Sequence, residues 1–393
     1  MFADKYLLKN CNKPLIPQDP GKNIGIIVVI PCYREPDIRL TLESLLKCDT
    51  AQAETEVIVL VNHSEAAPEE IREYNRETAG KLQNWVEQNT KPGIRFFIAG
   101  PVELRKKWAG AGLARKSGMD EAVRRFSFLN RPDGIIVSLD ADTLVESNYL
   151  LAIENHFKQY PKHVGATLAF EHQTEGLDKK HLDGIQLYEA YLDYYRHALA
   201  YTGYPYAMFT IGSAFAVRAD AYVRRGGMNR RQAGEDFYFL QNLAQIGKIS
   251  EITSTAVHPS ARLSDRVPFG TGPILQRWMN GDEDLTKTYA FAAFRDLKSL
   301  FDLISFLFLI SDDEYEKLLK ELPPCVAQFL ISDNFKSELD DLNRNCASPG
   351  SFKNRFFQKF NAFKILKYLN AAGQNFYPKS DLTEQIRLLE EAK

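Results

Sequence analysis

The stretch Gly134-Ile135-Ile136-Val137-Ser138-Leu139-Asp140-Ala141-Asp142-Thr143 constrains the fold most. Ile135 to Leu139 is a mostly apolar, partly β-branched run, the pattern of a strand covered on both faces. It runs directly into two carboxylates. Open α/β sheets bind ligands at the carboxyl ends of their strands, which puts Asp140 and Asp142 at the mouth of a site. Residues i and i+2 of extended chain point the same way, and two neighbouring carboxylates repel unless a cation lies between them. Hard oxygen ligands suit magnesium or manganese. The alternative is a capping pair where a strand gives way to a helix.

The chain before this stretch alternates. After an arm, residues 1–22, with three prolines, Ile24 to Ile30 reads as a strand ended by Pro31, which cannot donate to a ladder. Pro36 fits a first helical turn, and Ile38, Leu42, Leu45 and Leu46 share one helical face. Val57 to Val61 and Ile94 to Ile98 read as strands. Helices are expected over Glu69 to Gln88 and Leu113 to Phe126. Such alternation implies right-handed crossovers and a mostly parallel sheet flanked by helices, an α/β, Rossmann-like fold. The loop Trp108 to Leu113 lacks the third glycine of a dinucleotide fingerprint, and no GxxxxGK phosphate loop occurs.

Beyond Asp142, helices are expected from Ser147 to Gln159, Asp178 to Tyr201 and Glu235 to Ile246, with Gly247 as a stop. Strands are expected at Val164 to Phe170, Phe209 to Val217 and Ile249 to Val257. The segment Ser260 to Pro273 is a loop. From about Leu285 the chain is amphipathic helix, interrupted near Pro323-Pro324 and Pro349-Gly350. The tyrosines of Asp178 to Tyr201 fit core packing better than a stacking surface for a sugar. The domains expected are the arm 1–22, a catalytic domain 23–284 divided at 142, and a helical C-terminal region 285–393.

A net charge of -2 over 393 residues argues against a nucleic-acid binder relying on bulk charge. The five scattered cysteines form no CxxC pair and suggest neither a zinc site nor a disulfide framework. The N-terminus lacks the pattern of a signal peptide, and the apolar run Leu300 to Ile310 is too short to span a bilayer. A soluble, cytoplasmic protein is the expectation.

Four stretches, in order, resemble the glycosyltransferase family 2 enzymes of the GT-A fold. They are Val28-Val29-Ile30-Pro31-Cys32-Tyr33-Arg34-Glu35, like the family's opening strand and its P-x-Y/F-N-E turn; Leu139-Asp140-Ala141-Asp142, its DxD motif; Gly212-Ser213-Ala214-Phe215-Ala216-Val217-Arg218, its small-residue acceptor-side strand; and Gly234-Glu235-Asp236-Phe237, its E-D helix start. The resemblance covers about residues 24–280. Gln276-Arg277-Trp278 is two residues short of the family's QxxRW signature of processive polymerases.

The resemblance implies transfer of a sugar from a nucleotide-diphosphate donor to an acceptor hydroxyl, usually with inversion. It implies Mn2+ or Mg2+ held by Asp140 and Asp142, with His258 as third ligand. It makes Asp236 the general base, beside Glu235. On the donor side it points to Pro31, Tyr33 and Glu35, to Arg115 with Lys116, to Asp140, and to Arg262 and Arg266 in a lid-like loop. Asn62 stands where the family usually has an aspartate that accepts from uracil, which opens the choice of base. The acceptor stays open between a glycan, a lipid-linked and a small-molecule substrate. Contact of the C-terminal helices with a membrane surface or a second copy also stays open. A retaining GT-A enzyme with a small acceptor and a catalytically degenerate nucleotide-sugar-binding protein are the alternatives. A nucleotidyltransferase would need a glycine-rich basic loop after the first strand, and Pro31 to Glu35 is not one.

Overall fold

The computed structural model describes residues 1–10, 13–232, 234–264 and 270–393. The chain divides into two compact units, residues 1–177 with 210–276, and residues 178–209 with 277–393.

The first unit is built on an eight-stranded sheet. Its strands are β1 (Ile24–Cys32), β2 (Glu54–Ser64), β3 (Ile94–Leu104), β4 (Ile135–Ser138), β5 (Leu144–Val145), β6 (Gly165–Phe170), β7 (Phe215–Arg218) and β8 (Ile249–His258). They lie in the order β3-β2-β1-β4-β7-β6-β8-β5. Pairings from β3 to β4 are parallel, β7 runs antiparallel between β4 and β6, β6 pairs parallel with β8, and β5 pairs antiparallel with β8. The apolar runs become strands because they are covered on both faces: Ile24 and Ile26 to Ile30 in β1, and Val57 to Val61 in β2, are fully buried. The helices of this unit are α1 (Asp4–Asn10), α2 (Ile38–Leu46), α3 (Glu69–Gln88), α4 (Ala111–Phe128) and α5 (Tyr149–Gln159). The helix α6 (Lys179–Tyr201) belongs to the second unit; α7 (Ala219–Arg224) and α8 (Glu235–Leu243) belong to the first. Ile38, Leu42 and Leu45 of α2 and Tyr149, Ile153 and Phe157 of α5 join the core formed by β1, β2 and β4.

Two expectations about strands are corrected. Pro31 does not end β1, which continues to Cys32 paired with β2. The β1–β4 ladder stops at Val29, so one side of the strand is already unpaired where the proline sits, and the missing donor costs little there. Residues 209–214 are not strand, and β7 begins only at Phe215. Gly212 instead lies in a turn whose carbonyl takes up side-chain donors.

The arm is a docked element. Tyr6 and Tyr222 donate to Asp120 Oδ1 of α4 at 2.6 and 2.9 Å, and Lys116 Nζ lies 3.0 Å from the same carboxylate. Farther along α4, Arg125 pairs with Glu56 of β2 at 2.5 Å and donates to the Gln18 carbonyl, with both charged groups fully buried. Lys116, expected on the donor side beside Arg115, is therefore spent on the arm.

The second unit is helical. With α6 it comprises the end of α9 (Thr271–Asn280), α10 (Phe291–Asp302), α11 (Asp312–Glu321), α12 (Pro324–Ser332), α13 (Phe335–Asn345), α14 (Pro349–Lys359), α15 (Ala362–Asn375) and α16 (Leu382–Glu391). Rings of Phe301, Phe335, Phe356, Phe357 and Phe360 pack edge-on and stacked at its centre. The Leu300 to Ile310 run divides: Phe301, Ile304 and Leu307 are buried, whereas Phe306 and Leu309 are exposed. Tyr194 of α6 is buried and donates to the Tyr289 carbonyl, and Tyr195 packs on Phe294, as core residues do. No described helix is long and apolar enough to cross a membrane.

Candidate active site

The end of β4, the turn at Gly212 and the start of α8 converge on one side chain, Arg115 of α4. Its Nη2 donates to Asp140 Oδ1 at 2.9 Å, its Nε to Glu235 Oε1 at 3.2 Å, and its Nη1 to the Gly212 carbonyl at 3.0 Å and to Ser138 Oγ. Ser138 in turn donates to the same carbonyl at 2.6 Å. Arg115 is 3% exposed. Burial works against its charge, but Asp140, Glu235 and Asp236 outweigh this and hold it firmly protonated. Two glycines make room. A Cβ on Gly212 would lie 2.6 Å from Arg115 Nη2. A Cβ on Gly112 would strike the Arg231 carbonyl, so glycine lets the chain leading into α8 press against α4.

Helix α8 opens at Gly234 with φ +68, and Glu235 and Asp236 occupy its first turn, where the helix dipole favours acid. Glu235 is buried and commits its carboxylate to Arg115. Asp236 Oδ1 accepts from the Phe237 amide at 2.7 Å. Burial and the adjacent Glu235 push the Asp236 carboxyl up to about 7, against the downward pull of Arg115 and the Phe237 amide. A carboxyl in that range is matched to proton transfer near neutral pH.

A second arginine meets the other carboxylate. Arg262, in the stretch after β8, donates from Nη2 to Asp142 Oδ2 at 3.1 Å and from Nη1 to Glu35 Oε1 at 2.7 Å and Asp37 Oδ2 at 3.2 Å; Nη2 also meets Glu35 Oε2. These partners are 227 residues apart in sequence for Glu35 and 120 for Asp142. Glu35, the donor-side residue of the first motif, is nearly buried.

His258 ends β8 opposite Leu144 of β5. Its Nδ1 lies 3.1 Å from the Glu171 carbonyl, a contact that assigns a proton to Nδ1, and its Nε2 lies 3.8 Å from Glu146 Oε1. The Gln173 amide joins this corner to the DxD turn by donating to both the Asp142 and His258 carbonyls, at 3.0 and 2.7 Å. Among the described residues no three His, Cys, Asp or Glu side chains group closely enough to hold a metal by themselves. Magnesium and manganese in nucleotide sites use one or two carboxylates plus substrate phosphates, so the Asp140–Asp142 turn fits that mode.

The other expected donor residues are spread around β1. Pro31 is half-buried within the strand and Tyr33 half-buried just past it. Asn62 is buried, and its amide nitrogen faces the Cys32 and Leu60 carbonyls at 3.0 and 3.2 Å, tying β1 to β2 rather than pointing its donors outward. Arg266 lies outside the described residues. Ser138 and Gln173 were missed from sequence. Ser138 is the one polar residue in an apolar strand run, which was a readable signal; Gln173 carried none.

Residues 135–318 match the family model described as Glycosyl transferase family group 2. No curated protein sequence matches the chain. Solved structures similar to it include S. aureus TarS 1-349 in complex with UDP-GlcNAc, at 13% identity and TM-score 0.42, covering 86% of this chain and 91% of that one. Another is the mannosyltransferase PcManGT from Pyrobaculum calidifontis in complex with GDP-Man and Mn2+, at 14% identity and TM-score 0.40, covering 94% and 91%. A longer S. aureus TarS structure matches at 14% identity and TM-score 0.37 over 74% of this chain, which spans 45% of that one.

Proposed function

We propose, on the premise that this chain is a glycosyltransferase of family group 2, matched over residues 135–318, that it moves a sugar from a nucleotide-diphosphate donor to an acceptor hydroxyl. The observation that carries the reading is the gathering of Asp140, Glu235 and Asp236 around one buried arginine, with the Asp236 carboxyl lifted to about 7.

Asp236 takes the proton from the attacking hydroxyl, in an inverting displacement at the anomeric carbon. A base tuned to neutral pH contributes about 10² to 10⁴ in rate. Glu235 acts through Arg115: it is a positioning residue that keeps the guanidinium on Asp140 and raises the affinity of Asp236 for protons. A bound Mn2+ or Mg2+ would neutralise charge on the diphosphate leaving group, held by Asp142 and Asp140 with His258 Nε2 as a further ligand. Glu35, Pro31 and Tyr33 frame the nucleoside side, Asn62 holds β1 against β2 beneath them, and Arg262 supplies a cationic group toward the diphosphate.

The test is nucleoside diphosphate release from a panel of nucleotide-sugars. Asp236→Asn is expected to lose at least a hundredfold in turnover with donor affinity nearly unchanged. Activity within tenfold of the parent contradicts the assignment. Proton NMR of the product's anomeric coupling decides inversion against retention.

A further inference from the structure

We infer that Arg262 is a built-in competitor of the divalent cation: in the donor-free protein its guanidinium takes the cation position between Glu35, Asp37 and Asp142, and a nucleoside diphosphate draws it away. The inference rests on the donor-site reading above.

The two arginines that meet the DxD carboxylates are held very differently. Arg115 lies within a helix, is 3% exposed, and has its remaining donors fixed on Ser138 and the Gly212 carbonyl. It is a permanent part of the wall. Arg262 lies in a stretch that is neither helix nor strand, and its side chain is 26% exposed. Its own amide turns onto Ser260 Oγ at 3.3 Å, a local bond rather than a sheet ladder. The guanidinium reaches three acidic side chains from that tether.

A tethered cation on Asp142 must yield before a dication can use the same oxygen, so the free energy of its contacts is subtracted from metal affinity. A diphosphate offers the guanidinium another partner, because the planar fork matches phosphate oxygens in pairs. A nucleotide that engages Arg262 therefore frees Asp142, and metal and nucleotide bind with positive, reciprocal coupling. The same residue lowers metal binding when the site is empty and ceases to do so once the donor engages it. Each part-exposed ion pair is worth at most about fivefold. Loss of the pairs to Asp142 and Glu35 together is expected to change metal affinity about tenfold.

The experiment titrates Mn2+ into the full chain by electron paramagnetic resonance, without nucleotide and with uridine or guanosine diphosphate, for the parent and Arg262→Gln. The expected result is Mn2+ binding about tenfold tighter in Arg262→Gln without nucleotide, and a smaller nucleotide-induced gain than in the parent. Adding Asp142→Asn to Arg262→Gln should remove the gain. If Arg262→Gln binds Mn2+ no more tightly than the parent while both bind Mn2+ with nucleotide, the competition is refuted and the donor-site reading stands. If neither protein binds Mn2+ with any nucleotide, the metal reading fails and the inference falls with it.

Discussion

Arg115→Met replaces the buried cation of the site with an apolar side chain of similar length, and its cost is set by what stays behind. Arg115 donates to Asp140, Glu235, Ser138 and the Gly212 carbonyl. Removing one member of a buried pair costs about 3–5 kcal/mol, because the other is left charged in a poor solvent. The two carboxylates differ in how they escape that cost. The Asp140 side chain is 37% exposed and can be rehydrated, whereas Glu235 at 5% cannot. Most of the loss therefore belongs to Glu235, and the lower end of the range, about 3 kcal/mol, is expected at pH 8. At pH 5 the loss should shrink, because Asp236, already raised to about 7, rises further without the pull of Arg115 and binds its proton more tightly in the variant. Stabilities of this class of protein are about 5–15 kcal/mol, so the variant should still fold. Urea denaturation of parent and variant at both pH values reads the difference as a shift in midpoint at constant slope. Arg115→Lys keeps the charge without the fork and should recover part of the loss. A loss below 1 kcal/mol at pH 8, or an equal loss at both pH values, refutes the hub.

Four further outcomes follow. The Asp236 carboxyl at about 7 predicts an acidic limb of kcat/KM centred near neutral pH, and a limb near 4 contradicts it. The sign for stability is opposite to that of a paired carboxylate. A folded-state value above the unfolded one of about 4 means that the native state binds the proton more tightly, so Asp236 contributes stability in acid that is lost as pH rises from about 4 to about 7, and Asp236→Asn should flatten that slope in denaturation curves. Gly112→Ala places a methyl against the Arg231 carbonyl and 3.0 Å from Glu235 Cβ, and should cost about 1–3 kcal/mol in urea while lowering kcat through Asp236. Gly80→Ala, in α3 with nothing within 4 Å of the new methyl, should instead stabilise by about 0.5–1 kcal/mol.

The strands were legible because continuous apolar runs leave few other options: Ile24 to Ile30, Val57 to Val61 and Ile135 to Ser138 all lie in the sheet. The acidic turn after β4 and the acidic start of α8 were legible from spacing, since strand ends and helix starts are local events. What brings them together was only half visible. Arg115 was among the donor-side residues, but its bond to Glu235 spans 120 positions. No local pattern reports a partner at that distance. For the same reason Arg115 and Lys116 read alike, although successive helical residues point about 100° apart, one toward the site and the other toward the arm. Pro31 stays within β1 because one side of the strand has no ladder partner there, so the donor it lacks is not needed. Phe209 to Ile211 misled because apolar residues leading into a turn imitate the first residues of a strand. The grouping of α6 with the C-terminal helices rests on packing of Tyr194 and Tyr195 against Tyr289 and Phe294, which nothing in α6 alone announces.

The central claim is that this chain binds a nucleotide-diphosphate donor through the Asp140–Asp142 turn with a divalent cation. Thermal denaturation with each common nucleoside diphosphate and nucleotide-sugar, with and without Mn2+, tests it most directly. A ligand at about 100 times its dissociation constant stabilises the folded chain by about 2.7 kcal/mol, enough to read as a rise in Tm. The predicted result is that one nucleotide base raises Tm only with Mn2+, and that Asp142→Ala abolishes the rise; no rise with any nucleotide under any metal would contradict the claim.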